Sequence, residues 1–275
     1  MIAVTRSNEI EPILDICLVG HAPRLLREIP DDVYRLTEAF MPGPLSLVLP
    51  KRNIPDLVTS GHSTVAIRVP SHPLSRELLE VFGGPLAAPS ANPFGFVSPT
   101  TAQHVKDQLG KKIDYILDGG DCQVGLESTI IEYQKGKAVV LRLGGLAIEE
   151  IEEVLGHRIE KILSSSSNPK APGMLSAHYS PGVPLVFGRI DQLLDEHLGK
   201  KIGIICLKSN EEWRNKSVQI EELSSSFDLK EAARNIFKAL RKMRDYDVEI
   251  VLAEEMPENF LGRAINDRLR RASVQ

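Results

Sequence analysis

Residues 83–101 place Ser90, Asn92, Ser98, Thr100 and Thr101 in one uncharged bend that is dense in glycine and proline. The apolar lead-in at 85–88 predicts a buried strand ending at Pro89, and Ser98-Pro99-Thr100 predicts the start of a helix. Free N–H groups at such a strand–loop–helix join suit an anion. The same residue types also fill ordinary turns. Arg68 interrupts an alternating apolar strand, 65–69, and Thr64 shares its face. A guanidinium there either points to solvent or forks onto a carboxylate or phosphate, and the pattern alone favours solvent. Ser128 opens a strand after a glycine-bearing loop, where it could touch a substrate or simply stiffen the chain. Arg142 ends the next strand beside Gly144 and Gly145, which fits a phosphate as well as a plain strand end. Residues 171–181 put Met174, His178 and Tyr179 between prolines, more apolar and aromatic character than a spacer uses. The segment either packs between domains or folds back to lay Tyr179 over a base or ribose.

These residues need a scaffold, and 275 residues favour two domains. Pro30 followed by Asp31 and Asp32 predicts a helix over 29–40 with Val33, Leu36, Thr37 and Phe40 on one face. Met41-Pro42-Gly43-Pro44 stops it, and 45–49 reads as a strand. Further helices are expected at 72–82, 100–109 and 148–155, and a strand at 115–117. Strands 128–133 and 138–143 form a hairpin through Lys135-Gly136. Residues 13–19 could form a strand, although the first twenty residues carry no clear cap or period. Four consecutive serines and the prolines after them mark a linker. Beyond it, strands at 185–187, 201–207 and 248–253 alternate with helices at 191–198, 229–245 and 262–272. Alternation of that kind predicts a parallel α/β sheet.

A net charge of −4 gives no general signal for polyanion binding. Arg263, Arg268, Arg270 and Arg271 form a basic helix at the C-terminus, of the kind that is usually a solvated face. Cys17, Cys122 and Cys206 are far apart and lack metal-ligand spacing, so free thiols in the reducing cytoplasm are expected. No apolar run reaches membrane-spanning length. Walker-type phosphate loops, GxGxxG, Cys-x-x-Cys and the hydrolase elbow are all missing from the sequence.

Taken together, the ordered motifs resemble the threonylcarbamoyl-AMP synthases of the two-domain Sua5 type, whose catalytic part is a YrdC-like domain. The pieces are Glu38-Ala-Phe-Met-Pro-Gly-Pro-Leu-Ser, Thr64-Val-Ala-Ile-Arg-Val-Pro, Pro89-Ser-Ala-Asn, Ser98-Pro-Thr-Thr-Ala, Asp118-Gly-Gly, Gly125-Leu-Glu-Ser-Thr-Ile and Leu141-Arg-Leu-Gly. The 171–181 segment and Gly262-Arg-Ala-Ile-Asn-Asp-Arg-Leu-Arg-Arg-Ala complete the series. The resemblance implies an α/β fold: a YrdC-like twisted open sheet at 1–160, a linker or lid at 161–182 and a small Rossmann-like Sua5 C-terminal domain at 183–275. It implies a nucleotidyltransferase that joins L-threonine, bicarbonate and ATP into threonylcarbamoyl-AMP and pyrophosphate, for t6A modification of tRNAs reading codons that begin with A. Arg68, Ser90 and Ser128 match threonine contacts, and Thr64, Asn92, Thr100, Arg142 and Tyr179 match ATP contacts. Mg2+ is expected with ATP, and tRNA or the downstream transfer machinery as further partners. No catalytic side chain is assigned.

The family's Pro-Thr-Glu-Thr strand, Tyr-Gly-Leu-Gly loop and Lys-x-Arg motif do not occur here, and Thr5-Arg6-Ser7-Asn8 is not assigned their role. Weak or no synthase activity is therefore the expectation for these residues as written. A noncatalytic relative that binds nucleotide or double-stranded RNA is the competing reading.

Overall fold

The computed structural model describes residues 2–4 and 15–17 as backbone, and residues 29–93, 95–134, 136–163 and 178–274 in fuller detail. The expectations for residues 5–8 and for most of the linker, 164–177, lie outside the described residues. The chain divides into two compact units. One comprises Met1–Ala91, Thr101–Asp121 and Glu127–Leu175, and the other Asn92–Thr100, Cys122–Leu126 and Ser176–Gln275.

The first unit is built on strands β1 (Ile2–Val4), β2 (Asp15–Cys17), β3 (Leu45–Pro50), β4 (Thr64–Arg68), β5 (Leu86–Ala88), β6 (Tyr115–Leu117), β7 (Thr129–Gln134), β8 (Lys137–Arg142) and β9 (Glu160–Lys161). Seven of them form a mixed sheet in the order β5-β2-β4-β3-β7-β8-β9, while β1 and β6 pair antiparallel in a ribbon of their own. At the centre, β3 runs parallel to β7 and antiparallel to β4. A strand covered on both faces needs a nearly unbroken apolar run, which is what Leu45, Leu47, Val48 and Leu49 supply. Ser46 is the polar exception within that run, and it too is fully buried.

The helix Asp31–Phe40 turns Val33 and Leu36 inward and carries Asp31 and Asp32 where its positive end favours anions. Arg35 on this helix donates to the terminal carbonyls Val154 and Leu155 of the helix Ile148–Leu155. Those carbonyls have no partner within their own helix, so a cation satisfies them well. Tyr133 of β7 donates to Asp32 at 2.7 Å. Burial first, and then that bond, push its pKa up to about 12.

In the second unit, β10 (Leu185–Gly188), β11 (Ile202–Cys206), β12 (Gln219–Glu222) and β13 (Ile250–Glu254) make a sheet in the order β10-β13-β11-β12, parallel throughout. Its helices are Ile190–Glu196, Glu211–Lys216, Leu229–Asp245 and Gly262–Ser273. Ile204, Cys206 and Leu252 are inaccessible and pack with Ile190, Leu194 and Trp213. The Rossmann-like expectation therefore holds, with β12 and the Glu211–Lys216 helix added to it.

Three local expectations are corrected. Residues 86–88 do form a strand, but at the sheet's edge and partly exposed, because β2 alone flanks it. The following helix starts at Ala102, not at 98–100, because the Thr101 side chain accepts from His104 N at 3.2 Å and caps it. The C-terminal arginines are a solvated face only in part, with Arg270 exposed and Arg263 half-buried. Arg268 is fully buried and pairs with Asp267 at 2.7 Å, Arg271 pairs with Asp267 at 3.0 Å, and Arg270 with Glu258 at 2.7 Å. Acids on the same helix and the preceding loop neutralise the patch that an RNA-binding reading would need.

Cys206 gives a direct test of the second unit's packing. Burial raises its thiol pKa to about 12. At pH 8 only roughly one thiol in ten thousand would be the reactive thiolate. Iodoacetamide should leave Cys206 unmodified in the native protein and label it fully in guanidinium, as read by peptide mass spectrometry.

Candidate functional site

Residues 41–44 link two parts of the first unit that the sequence keeps apart. Gly43 N donates to Val69 O and Thr129 N donates to Pro44 O, both at 2.9 Å. This turn ties the chain just after Arg68 to the chain just after Ser128. Arg68, at the end of β4, is half-buried with its Nε shielded from water, contrary to the solvent-facing reading of its strand pattern. Thr64, at the other end of β4, is also half-buried, on the wall of a cavity of about 840 Å3 that Lys51, Arg52, Asn53 and His62 share.

Ser128 is the centre of a buried hydrogen-bond cluster. Its hydroxyl lies 2.7 Å from that of Ser46. Arg142 donates from Nε and Nη2 to Ser128 O at 3.1 and 3.0 Å, and from Nη2 to Ser128 Oγ at 3.1 Å. Ser46, Ser128 and Arg142 are 0%, 1% and 6% exposed. The β7–β8 register brings Arg142 opposite Ile130, and an irregularity between Ile130 and Ile131 breaks the ladder there. Bulges of this kind re-aim side chains at the end of a ladder.

The chain after Arg142 locks the same place from behind. Gly145 N donates to Glu127 O at 2.8 Å. The Thr129 hydroxyl donates to Leu146 O at 2.6 Å and accepts from Leu146 N at 3.1 Å. At Gly144 a Cβ would stand 2.4 Å from Glu127 O and 2.4 Å from Ser128 C, so only glycine lets the two backbones approach this closely. Ser90 follows β5 and is exposed.

The remaining sequence candidates belong to the second unit. Asn92 is buried, and its Nδ2 donates to Pro93 O at 3.0 Å and Phe96 O at 3.1 Å. Its Oδ1 is enclosed and has no hydrogen-bond partner among the described residues. Thr100 is buried, and its carbonyl accepts from Cys122 N at 2.9 Å. The Tyr179 ring is 1% exposed, stacked on Phe237 at 5.3 Å between centroids, with the Arg268 guanidinium 5.4 Å from its centre. Thus Ser128 and Arg142 meet directly, Asn92 and Thr100 share one segment, and Thr64 and Arg68 end one strand. Ser46 and the close approach at Gly144 complete this cluster, and the residue pattern alone does not assign either a place in it. A lone hydroxyl inside the run 45–49 was the available signal for Ser46.

Residues 16–144 match the Sua5–YciO–YrdC family model, described as "Telomere recombination". Residues 146–274 match the model for the "Threonylcarbamoyl-AMP synthase, C-terminal domain". The class is therefore a YrdC-type domain joined to a Sua5 C-terminal domain. The threonylcarbamoyl-AMP synthase of Pyrococcus abyssi is 40% identical over 265 residues, covering 90% of this chain and 76% of that protein. That of Bacillus subtilis is 35% identical over 281 residues, covering 98% of this chain and 80% of the relative. The crystal structure of P. abyssi Sua5 complexed with L-threonine superposes with a TM-score of 0.86 at 38% identity, covering 95% of this chain and 80% of that one. The chain belongs to the threonylcarbamoyl-AMP synthase family.

Ser46→Ala should destabilise the protein by about 1–2 kcal/mol, since it strips one partner from a buried hydroxyl, and Ser46→Thr should keep that partner. Chemical denaturation of both variants measures this. Gly144→Ala should cost at least about 2 kcal/mol, because backbone rather than a flexible side chain must move.

Proposed function

We propose that the protein is an L-threonylcarbamoyladenylate synthase. Threonine's amine and bicarbonate give a carbamate with loss of water. A carbamate oxygen then attacks the α-phosphate of ATP, and the phosphoanhydride bond breaks to release pyrophosphate. The observation that carries this reading is the Arg142 guanidinium fixed 3.1 Å from the Ser128 hydroxyl. It supports the reading because the residue assigned below to ATP adjoins the one assigned to threonine, and a relative of 38% identity has been solved with L-threonine.

In the first unit, Arg68 is assigned to the threonine carboxylate, where a planar fork makes two charge-assisted bonds. Ser128 and Ser90 are assigned to threonine, and Thr64 and Arg142 to ATP. In the second unit, Asn92, Thr100 and Tyr179 are assigned to ATP. The enclosed Oδ1 of Asn92 supports its assignment, since a buried acceptor is satisfied by a ligand N–H or O–H. No covalent enzyme intermediate is needed. Positioning and charge neutralisation carry the reaction, and exclusion of water protects a carbamate and a mixed anhydride that hydrolyse readily.

Magnesium would arrive with ATP. Such an ion takes its ligands mainly from phosphates and water; among the described residues no three His, Cys, Asp or Glu converge on a metal site. Among those residues, too, no helix is long and apolar enough to cross a membrane. The free, buried thiol of Cys206 supports a reducing, cytoplasmic setting. We assign tRNA to the later step that consumes the adenylate in t6A formation.

The test is pyrophosphate release from ATP, expected at whatever rate only when threonine and bicarbonate are both present. Release indifferent to threonine would remove the assignment. Arg68→Ala is expected to raise the threonine Kd at least tenfold, about 1.4 kcal/mol, and to leave the ATP Kd within twofold. An equal loss of both ligands in a folded variant would contradict the carboxylate role.

A further inference from the structure

The helix Leu229–Asp245 carries Arg234, Phe237 and Arg241 at i, i+3 and i+7, which places them on one stripe. Each holds a different, sequence-distant piece of the second unit. Arg234 Nε donates to Gln123 O at 3.0 Å. The helix backbone there comes so near Gly125 that a Cβ on that glycine would lie 2.3 Å from Ala233 O. Phe237 stacks on Tyr179. Arg241 donates from Nη2 to Val97 O and from Nε to Ser98 O at 3.4 Å. The held pieces are also bonded to one another. Cys122 N donates to Thr100 O at 2.9 Å, and Ser180 N to Gly95 O at 3.2 Å beside the Phe96–Ser180 bridge.

The described residues of 92–100 contain no helix and no extended ladder to fix them. Such a segment keeps its conformational freedom unless something outside it binds its carbonyls. A guanidinium does so strongly, because its donors form a rigid fork and its charge assists each bond. At one end of the segment Asn92 is locked through Nδ2 to the Pro93 and Phe96 carbonyls, with Oδ1 enclosed and unpartnered among the described residues. At the other end lies Thr100.

We infer that Arg241 is a positioning residue for the nucleotide. By clamping Val97 and Ser98 it fixes Asn92 and Thr100 before ATP arrives, so the ligand does not bear the entropic cost of ordering the loop. The stripe of Arg234, Phe237 and Arg241 makes the C-terminal half a structural part of ATP recognition, not an appended module. This rests on the reading above that Asn92, Thr100 and Tyr179 contact ATP.

The experiment uses the full chain and the variants Arg241→Met, Arg241→Lys and Lys238→Met, the last an exposed neighbour on the same helix. Hydrogen exchange without ligand reports the clamp itself. Peptides spanning 95–101 and 122–126 should exchange at least tenfold faster in Arg241→Met and at the wild-type rate in Lys238→Met. By calorimetry, Arg241→Met should raise the ATP Kd at least tenfold and leave the threonine Kd, measured without nucleotide, within twofold. Arg241→Lys keeps the charge but loses the fork, and should fall between. Unchanged exchange in folded Arg241→Met and Arg241→Lys would overturn the clamp. Faster exchange with unaltered ATP affinity would overturn its role in recognition. A wild-type chain that bound threonine but no ATP would defeat the nucleotide assignment and the inference with it, while the exchange data still showed whether the clamp exists.

Discussion

The first unit depends on a cation taken out of water and spent on a serine. Arg142 is nearly inaccessible, and a buried guanidinium is tolerable only where hydrogen bonds replace its hydration. Three of those bonds end on Ser128, two on the carbonyl and one on the hydroxyl. That demand fixes the surrounding backbone. The Ser128 carbonyl faces the end of β8 because Thr129 is tied to Leu146 by bonds in both directions. The crossing is this close because position 144 has no side chain. The sequence Arg142-Leu-Gly-Gly therefore has one physical meaning: a cation, followed by chain thin enough to pass behind the serine it holds. A site fixed in this way needs little reorganisation when charge develops, which is where enzymes obtain most of their electrostatic advantage.

Ser46 shows the same logic one strand away. A hydroxyl in the middle of a strand buried on both faces would be a liability without a partner. The Ser128 hydroxyl, 2.7 Å away, supplies one, and the parallel register sets Leu45 beside Thr129 so that the two serines meet. The pair joins the interior of β3 to the Arg142 cluster, so the packing of the central strand and the geometry at Ser128 are a single problem.

Much of the scaffold was legible in the sequence because it follows simple periodicities. The run at 45–49, the acidic start of the helix at 31 and the alternation of strands and helices after residue 184 each translate directly into elements. What escaped was set by partners distant in sequence. β12 is Gln-Ile-Glu-Glu, a half-buried edge strand whose charges disguise it, and its Glu222 accepts from Ser209 and Arg214. Arg268 is indistinguishable in sequence from its basic neighbours, yet it alone of them is fully enclosed, held by Asp267 and set against the Tyr179 ring. Arg68 reads as solvent-facing from its alternation, although its Nε is enclosed. In each case periodicity gives the element, and only the fold shows what the element touches.

Tyr179 shows how the second unit turns backbone strain into placement. Its φ is +65°, in the left-handed region that costs a non-glycine residue about 1–2 kcal/mol. Two contacts offset that cost: stacking on Phe237 and the guanidinium of Arg268, a contact worth about 0.5–2 kcal/mol. The reversal also has a geometric effect. It sends the Tyr179 ring into the core while the next residue, Ser180, pairs in parallel with Phe96 and donates to Gly95. The left-handed residue thus lies where one short stretch of chain is fastened both to the core helix and to the segment that carries Asn92 and Thr100.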